Sequence, residues 1–227
     1  DRGSKSDLIW SLNAALPWAA QIHKPPLWLL GSLTPSAEEV LRIVQRSAVM
    51  CAGLDAVRDI WLPDCVIHGD IKADNILVDV RDGNCADLRI VDWEMVQRGD
   101  PAWDAAGFVQ ELVVTWLRQF ARIDGNALDT AIAHAKLPLP VIQRAIQRFW
   151  WSYVDHAQAP KEGWSAFSTK LAHHVGVRMI QTTYEATMNS SAVSAPVVLA
   201  LQISENILAD PGDAARSFLG LVGKDEY

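Results

Sequence analysis

The chain has 227 residues, half of them hydrophobic, enough to bury a sizeable core in one large domain or two small ones. Twenty Lys and Arg oppose 27 Asp and Glu for a formal net charge of −7, and the cations are scattered along the chain, which argues against nucleic acid as a partner. No apolar run reaches the ~18 positions of a membrane span, and the opening DRGSKSDLIW lacks the apolar stretch of a signal peptide.

Residues 1–31 read as helix, turn and short helix, because Pro25 and Pro26 forbid one continuous helix. Ser36 followed by Glu39 has capping-box spacing, and Val40, Leu41, Val44, Ala48, Cys51 and Leu54 continue on one face, which predicts a single helix from Ser36 to about Val57. From Cys65 the pattern changes: CVIHG, NILVDV and DLRIVDW are short β-type runs, the last two joined through Asp82 and Gly83 in a hairpin turn. Helical periodicity returns over about 102–122, 140–158, 164–188 and 195–209, with a last short helix near 212–222; Pro140 and Pro196 suit first turns. The fold class expected is α+β, mainly α, a helical body with a small β-hairpin insert that carries the polar loop of residues 68–75. The three cysteines, Cys51, Cys65 and Cys85, show no C-x-x-C pairing and read as reduced thiols in a cytoplasmic protein.

One stretch breaks the apolar pattern. VIHGDIKADNILVD, residues 66–79, leaves a strand, places His68, Gly69, Asp70, Lys72 and Asn75 in one tight loop, and returns to a strand. If the flanking strands are fixed, the Asp70 carboxylate and the Asn75 amide converge, and Asp92 arrives at the end of the next strand in RIVDWE. Two carboxylates and an amide oxygen make a hard-oxygen site suited to Mg²⁺, which takes only one or two protein carboxylates and keeps several waters. One carboxylate is then free to orient a hydroxyl and accept its proton.

The spacing is the kinase catalytic-loop pattern H-x-D-x-x-x-x-N followed by a metal-binding Asp. Carried by HGDIKADNIL, IVDWE and GDPAWDAAG, residues 65–110 resemble the aminoglycoside phosphotransferase and choline kinase branch of the kinase-like superfamily. The resemblance implies Asp70 as catalytic base, Asn75 and Asp92 as Mg²⁺ ligands, and ATP as phosphoryl donor. It implies His68 as a support bonded across the loop, Gly69 as a backbone position of close packing, and Asp104 as a buttress from the following helix; helix capping explains Asp104 almost as well. Lys72 leans toward the protein-kinase loop, where a lysine two positions after the Asp neutralises the transferring phosphoryl group. Gly69 stands where that loop has arginine, however, and the few residues between Asp92 and Gly99 leave no long activation segment.

The resemblance also implies segments that residues 1–67 lack. Their only lysines are Lys5 and Lys24, neither in a β-type run, and no G-x-G occurs, so the glycine-rich loop and strand lysine of an N-terminal lobe are missing. The chain reads as a C-terminal lobe: a helical segment 1–64, a catalytic and metal-binding core 65–110, and a helical subdomain 111–227. The start at Asp1 reads as a fragment, with the N-lobe supplied by a missing segment or another chain. The acceptor hydroxyl belongs to a small molecule, or to Ser or Thr of a precursor peptide. The tail LALQISENILADPGDAARSFLGL resembles those of kinase-like proteins of lanthipeptide pathways, which implies a partner lyase and a peptide-binding protein. The alternative is a pseudokinase-like scaffold. His173 and His174, adjacent on a helix, point to different azimuths and read as solvated or packing residues.

Overall fold

Thr34, rather than Ser36, opens the first helix. In the computed structural model, which describes residues 12–25, 33–120 and 128–223, α1 spans Pro35–Arg46 and the Thr34 hydroxyl accepts from the Ala37 N–H at 3.1 Å. Ser36 instead turns its hydroxyl onto the carbonyls of Thr187 and Ser190. The single helix expected to Val57 is two helices: Ser47 leaves helical geometry at φ −85°, ψ 112° and its hydroxyl caps α2 (Ala48–Ile60) at the Met50 N–H. The break resets the helical phase, so Ala48 is exposed and Met50, Gly53, Leu54 and Val57 face inward. Of the helices expected in residues 1–31, the described part contains one 3₁₀ turn, Trp18–Gln21, and the rest lies outside the described residues.

Four short strands follow. β1 (Cys65–Ile67) and β4 (Gln97–Gly99) pair antiparallel with Ile67 opposite Gln97; β2 (Ile76–Arg81) and β3 (Asn84–Ile90) form the hairpin, with Ile76 opposite Ile90. Asp82 and Gly83 both take positive φ in its turn, as a two-residue hairpin loop that follows strand twist requires. The polar loop is not inside this hairpin. It bridges the two small sheets, from the end of β1 through the 3₁₀ turn Ala73–Asn75 to the start of β2.

The remaining helices are α3 (Pro101–Arg118), α4 (Leu128–Ala133), α5 (Leu139–His156), α6 (Trp164–Thr187) and α7 (Ala195–Ala209), ending in the short turns Pro211–Asp213 and Ala214–Phe218. α6 is the axis of the body: every residue from Leu171 to Gln181 is buried, the mark of a helix enclosed on all sides. One core cluster joins it to α3, α5 and the C-terminal turns through Val113, Ile146, Trp150, Leu171 and Leu219; another joins it to α1, α2 and the Trp18–Gln21 turn through Val40, Leu54, Val177 and Ile180. His173 and His174 lie in this interior, His174 edge-on to Trp61 and Trp103. They are packing residues, not solvated ones, and burial holds the His173 imidazole down at about 4. No helix among the described residues is long and apolar enough to cross a membrane.

Candidate active site

α3 begins one residue after β4, so its first turn lies beneath the polar loop. Asp100 caps it, accepting from the Ala102 N–H at 2.9 Å, and also accepts from the Leu62 N–H and pairs with Lys170 at 3.0 Å. With Asp100 in that place, Asp104 is free of the cap. Its two oxygens accept from the His68 N–H at 2.6 Å and the Gly69 N–H at 2.9 Å. Burial pushes the Asp104 carboxyl up, and these two amides oppose the shift.

Gly69 is the point of closest approach. Its φ is +84°, and a side chain would bring Cβ to 2.6 Å from the Met95 carbonyl, so only glycine fits without strain. The His68 ring, buried beside Trp93, donates from Nε2 to the Val91 carbonyl at 2.8 Å and accepts at Nδ1 from the Asp70 N–H at 3.2 Å. Those two bonds fix one neutral tautomer and tie the residue before Asp92 to the residue that opens the loop.

Asp70, Lys72 and Asn75 meet above this floor. Lys72 Nζ lies 2.6 Å from Asp70 Oδ2, and that contact raises the lysine's proton affinity above its ordinary value. Asn75 is buried; its amide nitrogen donates to the Asp70 carbonyl at 2.9 Å and to Asp70 Oδ2 at 3.3 Å, which leaves its amide oxygen for another partner. The Asn75 carbonyl accepts from the Val91 N–H at 3.0 Å, so Asp92 emerges directly beside the loop. Asp92 is exposed and takes the left-handed conformation, φ 65°, ψ 58°. Among the described residues no group of three or more His, Cys, Asp or Glu side chains forms a ready-made metal cluster. Two donors are left without a partner among the described residues, the exposed Asp92 carboxylate and the Asn75 amide oxygen, whose nitrogen serves Asp70. Both are hard, and the pair is thin, as suits an ion that keeps most of its waters and binds phosphate.

The structure adds residues that the sequence reading missed. Arg178, on α6 and 2% exposed, donates to the Ile71 carbonyl at 2.6 Å, lies 4.0 Å from Asp70 Oδ1 and stacks over Trp103. Trp103 donates its indole N–H to the Gly69 carbonyl. Gly107 leaves room for the Ile71 carbonyl, which a Cβ would meet at 2.7 Å. A signal for Arg178 was present: it is the one charge in VGVRMI, and a cation inside a buried apolar run needs a specific partner.

The loop opens on a cleft of about 220 Å³ lined by Asp70, Lys72, Asp74, Glu111, Arg178 and Glu185. A larger cleft, about 450 Å³, lies at the other end of β1 around Cys65, Tyr153 and Trp164, away from Asp70. A cleft bordered by a carboxylate, a paired ammonium and a buried guanidinium can hold a hydroxyl beside a carboxylate base and balance negative charge there. The sequence model of the phosphotransferase enzyme family matches residues 15–144, a span that includes every loop residue described above. No curated protein matches the chain.

Proposed function

The chain belongs to the phosphotransferase enzyme family, and from that premise we propose that it transfers the γ-phosphoryl group of Mg²⁺·ATP to an acceptor hydroxyl held at Asp70. The observation that carries this reading is the convergence of Asp70, Lys72 and Asn75 on a loop whose backbone is gripped by Asp104, Trp103 and Arg178. When bound, Mg²⁺·ATP supplies an electrophilic phosphoryl group and a good leaving group. Asn75, through its amide oxygen, and Asp92, through its exposed carboxylate, would hold the ion. Asp70 orients the acceptor O–H and takes its proton as the new P–O bond forms and the bond to the nucleotide breaks. Lys72 moves from Asp70 toward the phosphoryl oxygens, so the carboxylate becomes available as the ammonium takes up its second partner.

The nucleotide needs a lid, and we assign it to a β-rich lobe from a preceding segment or another chain. The hairpin supports this. Val78, Val80, Leu88 and Ile90 share one face in the β2–β3 register and are 49, 61, 51 and 39% exposed, an apolar face that a two-stranded sheet does not keep in water. The acceptor is a small hydroxyl compound or a peptide Ser or Thr worked on beside a lyase. The same hairpin face also favours a second reading, a non-catalytic scaffold that binds a partner there.

Calorimetry with Mg²⁺·ATP on the longest native form, with Asp92→Asn and Asp70→Asn beside it, decides between them. The enzyme reading expects metal-dependent binding that Asp92→Asn weakens, and transfer that Asp70→Asn lowers about 10²–10⁴-fold while nucleotide binding persists. Absence of nucleotide binding in the wild type with its partners present would leave the scaffold.

A further inference from the structure

The cleft at Asp70 does not end at its charged walls. Arg118, Thr182 and Ala186 line it and also line a second, open cleft of about 220 Å³ between α3, α6 and α7. Across that shared edge the chemistry changes. On the Asp70 side stand Asp70, Lys72, Asp74, Glu111 and Glu185; on the far side Val114, Leu117 and Val197 form the wall, and Arg118 is its one ionised residue among those described. Arg118 fits the boundary. Its guanidinium is 3.9 Å from Glu111 on the charged side, which leaves its aliphatic stem to face the apolar side, as long cationic side chains do where water and hydrocarbon meet.

Helix packing normally closes gaps of this size, and an apolar hollow that opens beside a reactive carboxylate is shaped for a ligand. We propose that the acceptor is amphipathic: a hydroxyl-bearing head at Asp70 joined to an apolar arm that fills the Val114–Val197 hollow, with Arg118, Thr182 and Ala186 as the neck between them. The place of the hydroxyl rests on the phosphotransfer reading; the binding of the arm does not. Val114, Arg118 and Ala186 are therefore specificity residues, which choose the acceptor by its length and polarity.

The test is a homologous series of 2-amino-1-alkanols, from propanol to octanol, titrated calorimetrically into the full chain and assayed in parallel for transfer from Mg²⁺·ATP. Affinity is expected to rise about fourfold per methylene until the hollow is full. Ala186→Trp, at an exposed position in the neck, should flatten the series without changing Tm, and Val114→Asp, at a half-buried one in the hollow, should flatten it with some loss of Tm. A flat series in the wild type overturns the inference, and so does a slope that survives both substitutions. A flat series with normal transfer to 2-aminopropanol overturns it while the phosphotransfer reading stands. A steep series keeps the hollow whatever the transfer assay reads, and the phosphotransfer reading then stands or falls on the Mg²⁺·ATP titration of the longest native form with its partners.

Discussion

The loop that carries Asp70 and the hairpin that follows it are contiguous in sequence and opposite in construction. The loop has no long run of regular structure, yet each of its turns is held from below: Asp104 takes the amides of residues 68 and 69, Trp103 the carbonyl of Gly69, and Arg178 that of Ile71. The hairpin is paired from Ile76 opposite Ile90 to Arg81 opposite Asn84, with one register shift between Asp79 and Val80, and has an apolar face in solvent. Buried polar contacts in this molecule therefore concentrate under the irregular loop rather than under the paired hairpin.

The contrast can be broken most severely at Asp104. Asp104→Ala leaves two buried amides without acceptors, which should cost roughly 2–4 kcal/mol in denaturant unfolding and abolish transfer; full stability with retained transfer would mean that the loop does not depend on its floor. Acid comes next. Burial holds the folded His173 imidazole down at about 4, well below its ordinary value, and burial holds His174 well below that ordinary value too. The unfolded chain therefore binds more protons than the folded one below about pH 6.5, and stability falls as pH falls. Between pH 7 and pH 5 His173 alone should remove about 2 kcal/mol, and His173→Leu should restore it, as read by Tm across that range. Asp100 and Asp104, pushed up by burial, act with the opposite sign as pH falls through the carboxylate range, so the measurement stops at pH 5. The smallest effect belongs to the hairpin. Val80→Thr and Leu88→Lys should change the stability of this chain by no more than about 0.5 kcal/mol; a loss of several times that would show the apolar face to be packed already.

The loop was legible because its chemistry dictates residue type and spacing together: His68, Asp70, Asn75 and Asp92 form a pattern with few other uses. The hairpin was legible from its alternation and from Asp82-Gly83, and α3, α5, α6 and α7 from their period, three of them with first-turn prolines, whereas α4 (Leu128–Ala133) was not expected. What stayed hidden depends on partners distant in sequence. The helix break at Ser47 is fixed partly by Glu205, which accepts from its hydroxyl at 2.5 Å, and the Ser36–Glu39 spacing misled because Ser36 is drawn to the end of α6. Arg178 supports the loop from more than a hundred positions downstream, and no local window contains both ends of that contact. Helix periodicity put His173 and His174 on a helix but could not tell that α6 is enclosed on every side.

Asp92 has its own consequence for how this sequence can drift. Its backbone is left-handed, a conformation that Asp, Asn and Gly enter easily and that costs other residues roughly 1–2 kcal/mol. The substitutions that leave the fold undisturbed are thus two that remove the carboxylate, and both, Asp to Asn and Asp to Gly, need only a single-base change. A lineage freed from the need to hold metal would lose the charge without losing the protein. Position 92 is therefore where the charge of this loop can be lost at the least cost to the fold.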